Sequence, residues 1–175
     1  MEAIGHKEAF EFVNDLVKSN TPLSESIIKQ IHYLVLVDKK EDRGIYRKVP
    51  VRIMGAAHEP VQPYLILPHM VDLMKRYQES DEHIVLRLAK FHIEFEGIHP
   101  FIDGNGRTGR LLVNLELMKA GYPPINIKFT YRINYYLAFD EYFVNHNLSA
   151  MTKLFSGYVN ERLDIYLSML SDQHK

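Results

Sequence analysis

Just past the middle of the chain the sequence reads Gly97-Ile98-His99-Pro100-Phe101-Ile102-Asp103-Gly104-Asn105-Gly106-Arg107-Thr108-Gly109-Arg110. Apolar residues at helical spacing precede this segment, from about residue 82 to 96, and follow it from residue 111 to 118. The pattern predicts two helices joined by a tight loop, with Gly97 in the left-handed position that ends the first helix. The loop therefore leads directly into the N-terminus of the second helix.

This loop has the features of a phosphate-binding site. Gly104 and Gly106 flank Asn105, and glycines allow backbone N–H groups to converge on one point. Arg107 and Arg110 are expected on one face of the first helical turn, where the helix dipole disfavours positive charge. A bound polyanion would reverse that penalty, and guanidinium groups match phosphate oxygens in bidentate fashion. The alternative is that the arginines are solvated or paired with acids.

Asp103 and His99 add two groups for chemistry. A carboxylate beside phosphates requires a cation between them, and Mg²⁺ is commonly held by one or two carboxylates, substrate phosphates and water. The alternative role for Asp103 is a helix cap. Since imidazole takes up protons near neutral pH, His99 is the candidate general base, and Pro100 is expected to keep its backbone extended. The residues alone indicate phosphoryl or nucleotidyl transfer.

Helical periodicity extends over most of the remaining sequence. It predicts a mainly α, single-domain protein over residues 1–175, since no internal repeat or low-complexity tract divides the chain. The segments with this periodicity are 9–17, 27–35, 70–77, 84–95, 111–118, 131–144 and 151–170.

The exception lies at about residues 45–64. Here Val49, Val51 and Ile53 alternate with polar residues and Pro50, which is typical of a strand. Proline cannot donate a ladder hydrogen bond, so the strand is expected in an edge or free-standing hairpin. Such an edge could accept an extended peptide from a partner. The alternative is a surface hairpin that only covers the core.

Composition excludes several classes of protein. With 21 basic and 22 acidic residues the net charge of the 175-residue chain is −1, which gives no reason to expect nucleic acid or a membrane surface as a partner. The absence of cysteine excludes disulfides, thiol nucleophiles and thiolate metal sites. No apolar run approaches the roughly 20 residues of a membrane span, and no signal peptide is evident. We expect a cytoplasmic protein.

Residues 99–110 match every specified position of the Fic signature, and the sequence resembles that family over nearly its whole length. The resemblance implies a compact helical domain with a β-hairpin flap at 45–64. It implies that His99 deprotonates a target hydroxyl and that Asp103 binds Mg²⁺. Phosphates would be bound by Gly104, Asn105, Gly106, Arg107 and Arg110.

The resemblance also suggests contacts outside the loop. Tyr136 matches the family tyrosine that contacts adenine, with a core role as the alternative. The flap residues Val49, Val51 and Ile53 would dock an extended segment of the target protein.

The reaction implied is protein adenylylation: AMP from ATP goes to a Ser, Thr or Tyr hydroxyl, and pyrophosphate leaves. Retention of Gly-Asn-Gly favours nucleotidyl transfer over phosphate transfer, which stays an alternative together with another nucleotide. Many relatives carry an inhibitory helix with the pattern Ser/Thr-x-x-x-Glu-Gly/Asn, and this chain lacks the pattern. The helix is expected to be missing from the chain, supplied by another polypeptide, or diverged.

Three other classes of function fit the sequence less well: a metal-dependent hydrolase, a non-catalytic interaction domain and a nucleic-acid-binding module. His92-Ile93-Glu94 resembles the first half of a zinc deaminase signature, but the chain has no cysteine for the second half. A non-catalytic interaction domain would not need His99, Asp103 and Arg110 intact. A nucleic-acid-binding module conflicts with the near-zero net charge.

Overall fold

The computed structural model of the protein describes residues 2–127 and 132–172. Across those residues the chain forms seven α-helices and no strand. The helices are α1 (Glu2–Lys18), α2 (Glu25–Val35), α3 (Ile66–Glu79), α4 (Ile84–Ile98), α5 (Asn105–Lys119), α6 (Arg132–Asn145) and α7 (Ser149–Asp172). The mainly α prediction is confirmed, and each periodic segment lies in a helix wherever the structure describes it.

Helix α4 is the centre of the fold. It packs against α3, α5 and α7, and α5 in turn packs against α1 and α2. Because neighbours surround α4, most of its residues are buried rather than a single stripe of them. The large side chains buried there include Phe91, Ile93 and Phe95. This packing fixes the end of α4 and the start of α5, and therefore the loop between them.

The end of α4 differs from the prediction. The helix continues to Ile98, and His99, not Gly97, adopts the left-handed conformation, with φ 50° and ψ 60°. Gly97 is needed for another reason. A Cβ atom at this position would lie 2.2 Å from Cζ of Phe143, so only glycine allows α6 to approach α4 this closely.

The expected β-hairpin at 45–64 is wrong as a description of this structure. Residues 45–62 form turns and irregular backbone, and a short 3₁₀ helix follows at Pro63–Leu65. The physical reason lies in Arg47, whose guanidinium donates to the carbonyl oxygens of Val49 (2.9 Å) and Val61 (2.5 Å). The two arms of the segment are thus held by a side chain instead of by ladder hydrogen bonds. We call residues 45–64 the flap segment below.

No helix within residues 2–127 or 132–172 is both long and apolar enough to cross a lipid bilayer.

Candidate active site

A cavity of about 250 Å³ lies where the ends of α4 and α5 meet α6 and the flap segment. His99 and Arg110 both line it, as do Gly106, Tyr136 and Ile53. The sequence therefore identified five residues that one cavity brings together. The remaining lining residues are His92, Glu96, Ile127, Tyr135 and Phe139.

The His99 imidazole is oriented by the helix that precedes it. Its Nδ1 lies 3.2 Å from the carbonyl oxygen of Glu96. A carbonyl only accepts, so Nδ1 carries the proton and Nε2 is the basic nitrogen. Burial is the main cause that lowers the pKa of His99 below its ordinary value, which keeps the ring neutral near pH 7. A neutral imidazole with a defined basic nitrogen is what a general base requires.

The backbone of His99 is strained. The sequence predicted an extended conformation because Pro100 follows, but the observed φ of 50° is left-handed. A non-glycine residue in this region costs roughly 1–3 kcal/mol and persists only when its surroundings hold it. Here the amide of His99 donates to the Phe95 carbonyl at 3.0 Å, and its carbonyl accepts from Nε of Arg47 at 2.7 Å.

Arg47 is a buried clamp that the sequence did not reveal. Only 5% of this residue is exposed. Besides its bonds within the flap segment, its guanidinium reaches the carbonyls of His99 and Ile98, and its backbone N–H donates to the Pro100 carbonyl at 2.9 Å. Burial lowers the pKa of Arg47. Arg47 therefore joins the flap segment to the end of α4.

The loop after His99 is stapled by Asn105. The side-chain amide of Asn105 both accepts from the Phe101 N–H and donates to the Phe101 carbonyl, each at 2.9 Å. Asn105 is 1% exposed and Phe101 is fully buried. The Asn105 side chain thus shapes the loop rather than facing the cavity. Its contribution to phosphate binding would come from its backbone N–H.

His32 of α2 contacts the same loop at Phe101 and Asp103. Its ring stacks on Phe101 with centroids 3.6 Å apart. Nδ1 of His32 accepts from the Gly44 N–H at 2.9 Å, so Nε2 is protonated and donates to the Asp103 carbonyl at 2.9 Å. Burial is the main cause that lowers its pKa. His32 is a neutral structural histidine, and sequence analysis missed it.

Gly104 directs the chain into α5. It is the N-cap residue of α5 and has a φ of 77°, which glycine adopts without strain. The N–H groups of the first helical turn have no acceptor within the helix and point out of its N-terminus. Gly106 lies in this turn and lines the cavity. These N–H groups are therefore placed where an anion could bind, and phosphate binding by the glycines stays a prediction.

The two arginines of the motif do not share one environment. Arg110 is exposed and folds back over the helix start, since a Cβ on Gly106 would lie 3.3 Å from its Nη1. Arg107 is not among the residues that line the cavity. Its guanidinium lies 3.5 Å from both the Asp103 carboxylate and the Val35 carbonyl. Arg110 is thus the guanidinium that faces the cavity with His99.

Asp103 lies in a basic environment and is not among the residues that line the cavity. Its carboxylate bonds Nζ of Lys39 at 2.9 Å and the N–H of Gly104 at 2.6 Å. The Lys39 hydrogen bond is the main cause that lowers the pKa of Asp103, so the group is ionised near neutral pH. Its side chain is 43% exposed. This carboxylate is accessible to a cation from solvent.

The chemistry of these donors fits Mg²⁺ held jointly with a substrate. In the described part of the chain no group of three or more His, Cys, Asp or Glu residues could hold a metal ion. Mg²⁺ is often bound by one carboxylate with substrate phosphates and waters, which is the arrangement that Asp103 allows.

The flap segment covers the cavity from the α6 side. Ile53 lines the cavity, and a Cβ on Gly55 would lie 3.6 Å from the ring of Tyr136. The Ala57 N–H donates to the Asp140 carboxylate at 3.0 Å. The two other residues expected to dock a target differ in exposure. Val49 is 51% exposed, and Val51 is partly buried.

Comparisons with known proteins agree with this geometry. The chain is 32% identical over 176 aligned residues to the protein adenylyltransferase Fic of Drosophila grimshawi, covering 98% of this chain and 36% of that protein. It is 38% identical over 141 residues to the protein of the same name from Aedes aegypti, covering 77% of this chain and 28% of that protein. The chain thus spans about a third of the length of these relatives.

Solved structures give the same result. Fic-1 of C. elegans (residues 134–508) superimposes with a TM-score of 0.85 at 25% identity, covering 98% of this chain and 52% of that one. The sequence model of the Fic/DOC family matches residues 22–117, which include α2 to most of α5 and the whole of the loop. The chain belongs to the Fic/DOC family.

Proposed function

We propose that this chain is the catalytic domain of a protein adenylyltransferase. It transfers AMP from ATP to a Ser, Thr or Tyr hydroxyl of a target protein and releases pyrophosphate. The names of the relatives support this activity. The observation that carries the proposal is the orientation of His99, whose Nδ1–H is bonded to the Glu96 carbonyl so that Nε2 is the base of a cavity shared with Arg110.

The proposed reaction is a direct displacement at the α-phosphorus of ATP. Nε2 of His99 accepts the proton of the target hydroxyl, and the hydroxyl oxygen forms a bond to the α-phosphorus. The bond between that phosphorus and the bridging oxygen breaks, and pyrophosphate leaves with the electron pair. Arg110 and the first N–H groups of α5, at Asn105 and Gly106, stabilise the phosphate charge.

Mg²⁺ belongs to the proposal through Asp103. The ion would neutralise phosphate charge when bound. The carboxylate is already ionised and partly exposed, and Lys39 now bonds one of its oxygens. Arg107 lies within 3.5 Å of the other oxygen and would assist in holding phosphates close to Asp103. Tyr136, which lines the cavity beside Ile53, is the proposed contact for the nucleobase.

The flap segment is the proposed docking site for the target. Val49 is 51% exposed. The neighbouring Pro50 cannot donate a backbone hydrogen bond, as is typical of an edge strand. An extended target segment beside Val49, Val51 and Ile53 would place its hydroxyl over the cavity that Ile53 lines. In this proposal the strand forms only with the partner.

Labelled ATP tests the proposed reaction. We expect label from the α-phosphate, and none from the γ-phosphate, to appear on a protein of a cell lysate or on the chain itself in the presence of Mg²⁺. His99→Ala should lower labelling by roughly 10² to 10⁴. His69→Ala is the matched control, because this histidine is exposed on α3 and does not line the cavity.

Two results would contradict the proposal. Transfer of γ-label instead of α-label would indicate a kinase. Full labelling by His99→Ala would mean that another group, or none, acts as the base. Intact-mass analysis after separate incubation with ATP, GTP, UTP and CTP identifies the transferred group and the preferred nucleotide.

A further inference from the structure

Glu96 is a buried acid that lines the cavity. Its backbone carbonyl orients His99, but the proposed reaction gives its side chain no role. It lies in the last turn of α4, three residues before His99, and only 8% of it is exposed. Within residues 2–127 and 132–172 its Oε1 has no hydrogen-bond partner, although the carboxyl lines the cavity. Buried polar atoms without partners are rare, and each calls for a physical explanation.

Helix α5 leaves room for this carboxyl. A Cβ on Gly109 would lie 2.5 Å from Oε1 of Glu96 and 3.2 Å from Nδ1 of His92. No other residue type fits at position 109 unless the carboxyl moves. His92 lies one helical turn before Glu96, and its buried Nδ1 approaches the same position of α5. Two polar groups of α4 thus approach the same position of α5, Gly109, which has no side chain.

Arg110 follows Gly109 directly and is the charged group that acts on Glu96. Burial raises the pKa of the Glu96 carboxyl to about 7, and the Arg110 charge opposes that rise. No ion pair within 4.0 Å joins the two residues in the described part of the chain. Because both residues line the cavity, the charge of Glu96 acts on Arg110 without occupying its donors, which stay available for an anion.

The other groups around Glu96 are neutral near pH 7. On its own helix, burial lowers the pKa of His92 to about 3 and also lowers that of His99. On α6, burial raises the pKa of Tyr135, whose hydroxyl lies 3.0 Å from Nε2 of His92, and Tyr158 of α7 adds to that rise. The charge of the cavity near pH 7 is therefore set by Glu96 and Arg110.

We propose that Glu96 is the charge-balancing residue of the nucleotide cavity: its carboxylate offsets Arg110 when no nucleotide is bound, and it takes up one proton from solvent when a phosphate binds Arg110. This inference rests on the proposed function. A bound phosphate adds negative charge beside a buried carboxyl, which favours the protonated acid. Glu96 acts through Arg110 and is a positioning residue, not a catalytic one.

The proposal has a direct consequence for affinity. At pH values where Glu96 is ionised in the free protein, nucleotide binding is accompanied by uptake of one proton from solvent by this carboxylate. The affinity for nucleotide then falls with rising pH, by at most roughly tenfold per pH unit for one proton. Below those pH values the carboxyl is already protonated and affinity levels off.

Isothermal titration calorimetry with α,β-methylene-ATP and saturating Mg²⁺ tests this linkage, because the analogue cannot transfer AMP. Titrations at pH 8 in buffers of different ionisation enthalpy measure the protons taken up. We expect close to one proton for the wild-type chain, after subtraction of the value for Glu96→Gln, which removes the contribution of the ligand's own titration. Glu96→Gln should also bind roughly tenfold more tightly than wild type at pH 8 and equally at pH 6.

Glu94→Gln is the matched control. Glu94 lies on the same helix, but its carboxylate pairs with Arg76 at 2.6 Å and does not line the cavity. Its proton uptake and affinity should equal those of wild type. Equal proton uptake and equal pH profiles in wild type and Glu96→Gln would overturn the proposal.

A second measurement needs no variant. With ¹³C-labelled glutamate, the carboxyl shift of Glu96 should titrate near neutral pH in the free protein and at higher pH with the analogue bound. An unchanged titration despite binding would overturn the proposal while leaving the proposed function intact. Absence of binding at every pH would instead contradict the proposed function, and this inference with it.

Discussion

Replacing Arg47 with methionine should both destabilise the protein and impair catalysis. Methionine keeps an unbranched apolar stem but removes the four guanidinium contacts to carbonyl oxygens, which belong to Val49, Val61, Ile98 and His99. An orphaned buried acceptor costs about 1–3 kcal/mol. Ile98 is 6% exposed, so water cannot replace the hydrogen bond to its carbonyl and this full cost applies there. Relief from burying a charge offsets part of the loss.

The expected net loss is about 3 kcal/mol in the free energy of unfolding. For a chain of this size that lowers Tm by roughly 6 to 12 °C. Without the Arg47 bond, His99 can leave its left-handed conformation, and misplacement of a catalytic group by about 1 Å can cost about 10²-fold in rate. Labelling by Arg47→Met should therefore fall even at temperatures where the variant is fully folded.

Urea unfolding and the α-label transfer assay check both parts. Arg52→Met is the matched control, because Arg52 lies on the same segment with 87% of its side chain exposed. That variant should stay within about 0.5 kcal/mol of wild type. A stable Arg47→Met variant with normal transfer would refute the assignment of Arg47 as the clamp of His99. A Lys variant should be intermediate, since an ammonium has three donors and no planar fork.

The other expectations concern the loop and its base. Gly97→Ala places a Cβ 2.2 Å from Phe143, so unfolding should show a loss of about 1–3 kcal/mol that Phe143→Leu partly restores; additive losses would argue against this contact. Asn105→Ala removes both hydrogen bonds to Phe101. Its free energy of unfolding should fall by about 1–3 kcal/mol, and its labelling activity should also be reduced. Burial lowers the pKa of His99, and the base acts when neutral. On the acidic side of its pH profile, kcat/KM should therefore fall only as pH drops below the ordinary histidine value of about 6.5. A midpoint at or above that pH would contradict the environment described for His99.

The helices were predictable because their apolar spacing is local. Residues 27–35, for example, carry the periodicity of the buried face that α2 shows. The structural role of His32 could have been inferred from its position, because it lies on the buried face of α2 among Ile28, Ile31 and Val35. A polar side chain on such a face needs partners, and the structure shows them in Asp103 and Gly44.

The flap segment was not predictable, because its conformation depends on distant contacts. The alternation of Val49, Val51 and Ile53 has strand periodicity, yet the carbonyl of Val49 bonds the Arg47 guanidinium. Arg47 itself is fixed by the carbonyl of His99, 52 residues further along the chain. A pairing across that distance leaves no signal in local periodicity. The same bond explains why His99 departs from the conformation that Pro100 favours.

Strain and base orientation at His99 have a common origin. The left-handed turn that follows α4 is disfavoured by roughly 1–3 kcal/mol, and it places Nδ1 within reach of the Glu96 carbonyl, 3.2 Å away. That bond decides which nitrogen is basic. The Arg47 bond to the His99 carbonyl holds the same turn from the opposite side. A relaxed, extended His99 would therefore lose its defined tautomer together with its strain, so the protein keeps an unfavourable backbone because the basic nitrogen depends on it.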